Sequence, residues 1–257
     1  MNKLLGKRAL VTAGAQGIGL AISQQLLRAG CDVVVHYRSS GEAAQSLVDE
    51  AARLARRCVT VGGDLTETDE CDRLVAETVT FLGGLDILIN NAGSLIARRT
   101  FADATDDFWA STMSLNLGSM RKTTRAALPH LAAAAKSGGG ASIVNLASLA
   151  GRKGGHTGSL AYSTAKGAVL TFTRALATEL GPQGIRVNAL APGLILGTSF
   201  HNTHTTPEAA RATVAGIPLG RGGNADDIAR AAVFLASEFD GFITGATLDI
   251  NGGVYAC

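Results

Sequence analysis

Residues 8–19 read Arg8-Ala9-Leu10-Val11-Thr12-Ala13-Gly14-Ala15-Gln16-Gly17-Ile18-Gly19, and a stretch of helical pattern over 17–29 follows. The run Arg8–Ala13 has the length and apolar content of a buried strand, so the segment reads strand, glycine turn, helix. That unit is a phosphate-binding device. The N–H groups of the turn and of the first helical turn point at an anion, and the helix dipole favours negative charge there. Glycines let a pyrophosphate approach the backbone and let the helix pack closely on the strand. Such a turn also occurs as plain structure, so the rest of the chain must decide its meaning.

Outward from the turn, short apolar runs alternate with helical stretches. The runs are Arg8–Ala13, Asp32–Tyr37, Cys58–Gly62, Leu85–Ile89, Ser142–Leu146, Ile185–Leu190 and Thr247–Ile250, with helical patterns at 17–29, 41–56, 67–82, 105–136, 159–181 and 225–237. This alternation predicts an α/β fold, a doubly wound seven-stranded parallel sheet with helices on both faces and right-handed crossovers. With no repeat, charge block or linker, residues 1–257 are expected to form one domain. The segment 194–224 breaks the rhythm; a connection that long in a compact domain is expected to be a substrate lid.

Composition narrows the classes. The chain has 257 residues, 46% hydrophobic and 17% charged, which excludes a disordered chain. A net charge of +2 argues against a dedicated nucleic-acid binder. The 32 glycines against 5 prolines, without collagen periodicity, point to many tight turns and close backbone contacts. Cys31, Cys58, Cys71 and Cys257 form no CxxC pair, and Cys31 and Cys58 read as small buried hydrophobes. Gly6, Lys7 and Arg8 interrupt any apolar leader, and no stretch approaches a membrane span. A cytoplasmic protein is expected, without a membrane or nucleic-acid partner.

Three more stretches carry chemistry: Asn90-Asn91-Ala92-Gly93 after the fourth strand, Asn145-Leu146-Ala147-Ser148 at the end of the fifth, and Tyr162-Ser163-Thr164-Ala165-Lys166 opening the next helix. Tyr162 and Lys166, four apart, share a helix face. A free tyrosine, pKa about 10, is a poor base at neutral pH. A neighbouring ammonium and an oxidised nicotinamide favour the tyrosinate, so Tyr162 can exchange a proton with a carbonyl or alcohol oxygen. Ser148, at a strand's carboxyl end, can hydrogen-bond the same oxygen as charge develops.

Together these motifs resemble the short-chain dehydrogenase/reductase family, the branch with TGxxxGxG and YxxxK, over nearly the whole chain. Ala13 stands where the family's first turn glycine is expected. Further matches are Asp64, Asn116, Arg186-Val187-Asn188, Pro192-Gly193, Thr244-Gly245 and Asp249-Ile250-Asn251-Gly252-Gly253. The likeness is to 3-oxoacyl-carrier-protein reductases and, through the tail, to sugar-acid dehydrogenases. It implies that Asn116, Ser148, Tyr162 and Lys166 are catalytic, that Lys166 also holds the nicotinamide ribose, and that Asn116 anchors a water relay to Lys166. It implies a homotetramer whose helices pair through small residues such as Ala126, Ala127, Ala161, Ala165, Ala168, Ala175 and Ala177.

The cofactor site is expected to take Ala13, Gln16, Gly17, Ile18 and Gly19 at the phosphates, Asp64 and Leu65 at the adenine, and Asn91, Ala92 and Gly93 along the adenine-ribose side. Pro192, Gly193 and Ile195 are expected along the nicotinamide, with Tyr162 and Lys166. The threonine expected after Pro-Gly is displaced to Thr198. An acid past the second strand reads a ribose 2′-hydroxyl, and a basic residue reads a 2′-phosphate. Here the strand ends in Arg38, Ser39 and Ser40 with no acid, so NADP(H) is the preferred cofactor, with NAD(H) possible. Gln16 departs from NADP-type relatives that carry a basic residue in the turn.

Loops at the carboxyl end of the sheet hold Arg98 and Arg99, Arg152, Lys153 and His156, and His201 and His204; no Asp or Glu occurs between 137 and 178. The mouth is therefore expected to attract an anionic carbonyl or alcohol substrate, such as a keto sugar acid, with Arg98, Arg152, His156 and His201 in contact. His201 and His204 lack a nearby carboxylate or thiol, so no metal site is expected. The leading reading is an NADP(H)-preferring oxidoreductase. The alternatives are a β-ketoacyl thioester reductase and, from other classes, a non-catalytic dinucleotide sensor or a doubly wound methyltransferase, neither of which needs Ser148, Tyr162 and Lys166 together.

Overall fold

In the computed structural model, residues 4–39, 41–198, 203, 205–237 and 241–256 are described, with the backbone alone at 41–43. The apolar runs form seven parallel strands: β1 Arg8–Val11, β2 Asp32–Tyr37, β3 Cys58–Gly62, β4 Ile87–Asn90, β5 Ala141–Leu146, β6 Ile185–Pro192 and β7 Thr247–Ile250. Their order is β3-β2-β1-β4-β5-β6-β7, every neighbour parallel. Among the strand ends that differ from expectation, two have a local reason. β1 stops at Val11 because Ala13 takes a left-handed φ of 48°. β4 starts at Ile87 because the Asp86 carboxylate before it accepts from the Arg8 backbone N–H and guanidinium, at 2.9 and 2.8 Å.

The crossovers are α1 Gly17–Arg28, α2 Gly41–Arg53, α3 Thr68–Leu82, α4 Asp106–Met113, α5 Ser119–Ala134, α6 Leu149–Lys153, α7 Leu160–Leu180, α8 Pro207–Ala215 and α9 Ala225–Ala236. Strands buried on both faces need two apolar layers. On one face Ile22, Leu26 and Leu47 (α1, α2) and Ile228 and Leu235 (α9) cover Val33, Val35, Ile87 and Ile89. On the other, Leu74 (α3), Leu131 (α5) and Leu180 (α7) cover Leu10, Val34, Leu88 and Ile143.

The segment 105–136 is not one helix. A π-helical turn, Ser114–Gly118, separates α4 from α5 and places Asn116 in the interior. α6 was not foreseen; Ser148 starts it, its Oγ accepting from Ala150 N–H at 3.1 Å. The base of 194–224 is closed by a parallel bridge, Leu196 N–H donating to Gly223 O (2.8 Å) and Gly223 N–H to Leu194 O (2.9 Å). Among the described residues no helix is long and apolar enough to cross a membrane. Ser40, His201, His204 and Cys257 lie outside the described residues.

Candidate active site

The strand order reverses between β1 and β4, and ligands of such sheets bind beyond the carboxyl ends of the strands at that point. The glycine turn sits there. Thr12 Oγ1 donates to Ile89 O (3.2 Å) and accepts from Asn91 and Ala92 N–H (2.9 and 3.0 Å). Asn91 Nδ2 donates to the carbonyls of Thr12 and Ala13 (3.1 and 3.0 Å). The Asn91 side chain therefore shapes the turn. Ala13 N–H donates to His36 Nδ1 (3.0 Å), and Gly14 N–H to His36 O (2.8 Å). At Gly19 a Cβ would run into Ala13 O and stand 2.5 Å from Asn91 Nδ2, so only glycine fits. Helix α1 starts at Gln16 without a side-chain cap and without an acid in its first turn, which suits an anion. Thr198, buried, lies against the turn, its Cβ 3.6 Å from where a Gly17 Cβ would be. Its Oγ1 donates to Ile195 O at 3.0 Å.

Ser148, Tyr162 and Lys166 come together at the ends of β5 and α7. Because Ser148 Oγ accepts from Ala150 N–H, its proton is available to the Tyr162 oxygen, with which it is hydrogen-bonded. Lys166 Nζ donates to Leu146 O at 2.7 Å and lies 5.8 Å from the Tyr162 ring centre. Burial dominates both: it pushes Tyr162 up to about 12 against the Ser148 hydrogen bond, and pulls Lys166 down to about 8. In the chain by itself, without the positive charge of an oxidised nicotinamide beside the lysine, desolvation outweighs the factors that favour the tyrosinate.

The Asn116 side chain is held by protein: Oδ1 accepts from Ser94 N–H (3.0 Å), and Nδ2 donates to Ser94 O (2.8 Å) and Thr112 O (3.0 Å). It fixes the loop after Gly93. A Cβ at Gly93 would meet Asn116 Oδ1 at 2.7 Å and Lys166 Nζ at 3.0 Å, so this glycine keeps open the space between them.

Of the remaining expected cofactor residues, Ile18 follows the turn on α1, Ala92 and Leu65 are buried, and Arg38 and Ser39 are exposed at the end of β2. The Asp64 carboxylate accepts from Thr66 N–H (2.9 Å) and Oγ1 (2.8 Å), which holds it below its ordinary range. Pro192 ends β6, Gly193 packs against Asn251, and Ile195 is buried. On the substrate side, the loop of Arg98 is stitched to that of His156 and Gly158: Arg99 N–H donates to Gly158 O (2.9 Å) and Arg98 Nη1 to Thr157 O (3.3 Å). His156 is exposed there.

Arg152 is a correction. It forms a two-pronged ion pair with Asp249 of β7, both bonds 3.0 Å, and its guanidinium lies 5.9 Å from the Tyr255 ring centre. The acid absent from 137–178 is supplied by the fold from β7, so Arg152 is not an unpaired cation at the mouth. Sequence reasoning also passed over Thr12, a polar residue at the end of an apolar strand, and His36, the one imidazole in a valine-rich strand. Both hold the phosphate turn.

A seven-stranded doubly wound sheet with a glycine turn at its switch point defines a dinucleotide-binding α/β enzyme. The family model described as Enoyl-(Acyl carrier protein) reductase matches residues 12–255. An uncharacterized oxidoreductase, MT0954, of Mycobacterium tuberculosis is 35% identical over 254 residues, covering 99% of this chain and 94% of that one. The crystal structure of the NADH-dependent reductase A1-R′ responsible for alginate metabolism is 33% identical, with TM-score 0.91 and both chains fully covered; its complex with NAD gives 0.89. A short-chain dehydrogenase from Burkholderia cenocepacia in complex with NADP is 32% identical, with TM-score 0.89, covering 99% of this chain and all of that one. The chain belongs to the short-chain dehydrogenase/reductase family and is an NAD(P)-dependent oxidoreductase.

Proposed function

We propose that the chain is an NADP(H)-preferring carbonyl reductase and alcohol dehydrogenase for anionic substrates such as keto sugar acids. The observation that carries this is the shared hydrogen bond of Ser148 and Tyr162 above the buried Lys166 ammonium, at the carboxyl end of the sheet. The nicotinamide, when bound, supplies or accepts the hydride. Ser148 orients the substrate oxygen and Tyr162 gives it a proton in reduction or takes one in oxidation. Lys166, held by Leu146 O, biases Tyr162 towards the tyrosinate once a second positive charge is near. Asn116 positions the Ser94 loop beside Lys166.

The residues fit a dinucleotide: the Gly19 and Gly93 positions admit no Cβ, and α1 starts uncapped. Exposed Arg38 without an acid at the end of β2 supports NADP(H). Arg98, Arg99 and His156 support an anionic substrate. So does the likeness to a reductase responsible for alginate metabolism, since alginate is a polymer of sugar acids. The family description as an acyl-carrier-protein reductase favours a second reading, a β-ketoacyl thioester reductase. The protein is read as one cytoplasmic unit that works as a homotetramer, with 194–224 as its lid.

The test is a panel of keto sugar acids, acetoacetyl thioesters and simple ketones with NADPH and NADH. NADPH and the keto sugar acids are expected to perform best. Tyr162→Phe is expected to lower kcat by at least about 10²-fold with cofactor affinity largely kept. Near-normal turnover by this variant would overturn the mechanism.

A further inference from the structure

His36 lies on β2, buried, on the same side of the sheet as Val34, which faces α3. Its ring touches two fixed backbone groups. Nδ1 accepts the Ala13 N–H at 3.0 Å, and Nε2 lies 3.0 Å from Gly63 O. A carbonyl oxygen only accepts, so Nε2 carries the hydrogen; an N–H only donates, so Nδ1 must be bare. The two contacts together admit one form of the ring, the neutral Nε2–H tautomer. An imidazolium would aim a second N–H at the Ala13 N–H across the same 3.0 Å.

The peptide so gripped is a sensitive one. Ala13 is the non-glycine residue of the turn in the left-handed region, at φ 48°. Its carbonyl accepts from Asn91 and abuts Gly19, the helix start that would receive the pyrophosphate. A side chain there carries a conformational cost of about 1 kcal/mol, so the turn needs an external restraint.

We propose that His36 is a positioning residue for the dinucleotide site: as the neutral imidazole it holds the Ala13 peptide in the turn that receives the pyrophosphate, and on protonation it releases it, so that cofactor affinity falls in acid. This rests on the dinucleotide reading above. The charged groups facing the ring are Asp64 beyond β3, and Glu70 and Arg73 on α3. Burial, the largest influence, lowers the His36 pKa from its ordinary 6.5; the Gly63 hydrogen bond and the two acids act the other way without reversing it. With its pKa held below the ordinary imidazole value the ring is neutral at pH 7, and the loss comes on as the medium turns acid.

The test is a fluorescence titration of the full chain with NADH, which has no 2′-phosphate to titrate, from pH 4.5 to 8. For the wild type, Kd is expected to be flat above pH 7 and about tenfold weaker at pH 4.5. His36→Asn, whose Oδ1 takes the place of Nδ1 but takes up no proton, is expected to bind within about threefold of wild type at pH 7.5 and to lose the acid dependence. His36→Leu is expected to bind at least about tenfold more weakly at every pH, with folding checked by circular dichroism. Ring 15N NMR of the cofactor-free wild type is expected to show the Nε2–H tautomer with a midpoint below 6.5. Coincident wild-type and His36→Asn profiles, wild-type affinity in His36→Leu, or an Nδ1–H tautomer overturns the proposal. A wild type that binds neither NADH nor NADPH at pH 7.5 overturns the functional reading and this proposal with it.

Discussion

At the scale of single residues, the site carries two departures from its most stable composition. Ala13 occupies a left-handed conformation that glycine adopts without cost. Ala13→Gly is expected to stabilise the chain by about 1 kcal/mol, reduced somewhat by the freer unfolded chain, as read from the denaturant midpoint. Lys166 is the other: a buried ammonium whose pKa burial lowers to about 8. Between pH 8 and its unfolded value near 10.5 the unfolded chain binds a proton the folded one has released, so stability from this group rises with pH in that window. Tyr162, pushed up to about 12, works the other way, and its contribution falls from pH 10 to 12. Lys166→Met is therefore expected to be more stable than wild type at pH 7 by on the order of 1 kcal/mol, with the margin shrinking towards pH 10, and to be inactive. Urea unfolding at pH 7, 9 and 10 checks this; a margin that does not change with pH would contradict it. The residue identities were legible in the sequence, but the weight of desolvation on Tyr162 and Lys166 was not, because burial is a property of what surrounds a side chain.

At the scale of elements, the neighbourhood of Ser148, Tyr162 and Lys166 depends on two joints. One is the π-helical turn Ser114–Gly118. The apolar periodicity of 105–136 reads as one helix, and a single additional residue in a turn leaves little trace in such a pattern, yet it turns Asn116 inward onto Ser94. The other joint is Arg152–Asp249, which ties α6, just past Ser148, to β7, with only 14% and 15% of the two side chains exposed. Arg152→Met and Asp249→Asn are each expected to destabilise by about 1–3 kcal/mol, and the double variant by clearly less than the sum, because either change leaves the other charge unpaired. A thermal-unfolding double-mutant cycle reads the coupling; strict additivity would dissolve the joint. Arg186 and Asn188, matched by motif alone, act similarly. Arg186 donates to the carbonyls of Leu235 and Ser237 at the end of α9, and Asn188 Nδ2 to Ile243 O ahead of β7.

At the scale of the molecule, the glycine turn and the Ser148–Tyr162–Lys166 group lie on different crossovers of one sheet, so cofactor binding is expected to tighten the whole fold. NADPH at a hundred times its Kd is expected to add about 2.7 kcal/mol to stability, and NADH at the same concentration less; equal thermal shifts would remove the NADP preference. Light scattering is expected to give a mass four times that of the chain. The strand–helix alternation, the turn and the YxxxK spacing are local in sequence, because helix and strand periods and i, i+4 neighbours are set by backbone geometry. The sequence by itself therefore determined the doubly wound fold and the set Ser148, Tyr162 and Lys166. Only the tertiary structure decided that Asp249 neutralises Arg152, that Asn91, Thr12 and His36 hold the glycine turn, and that desolvation dominates at Tyr162 and Lys166. Those effects depend on distances between residues far apart in the chain, such as Arg152 and Asp249, which no local pattern encodes.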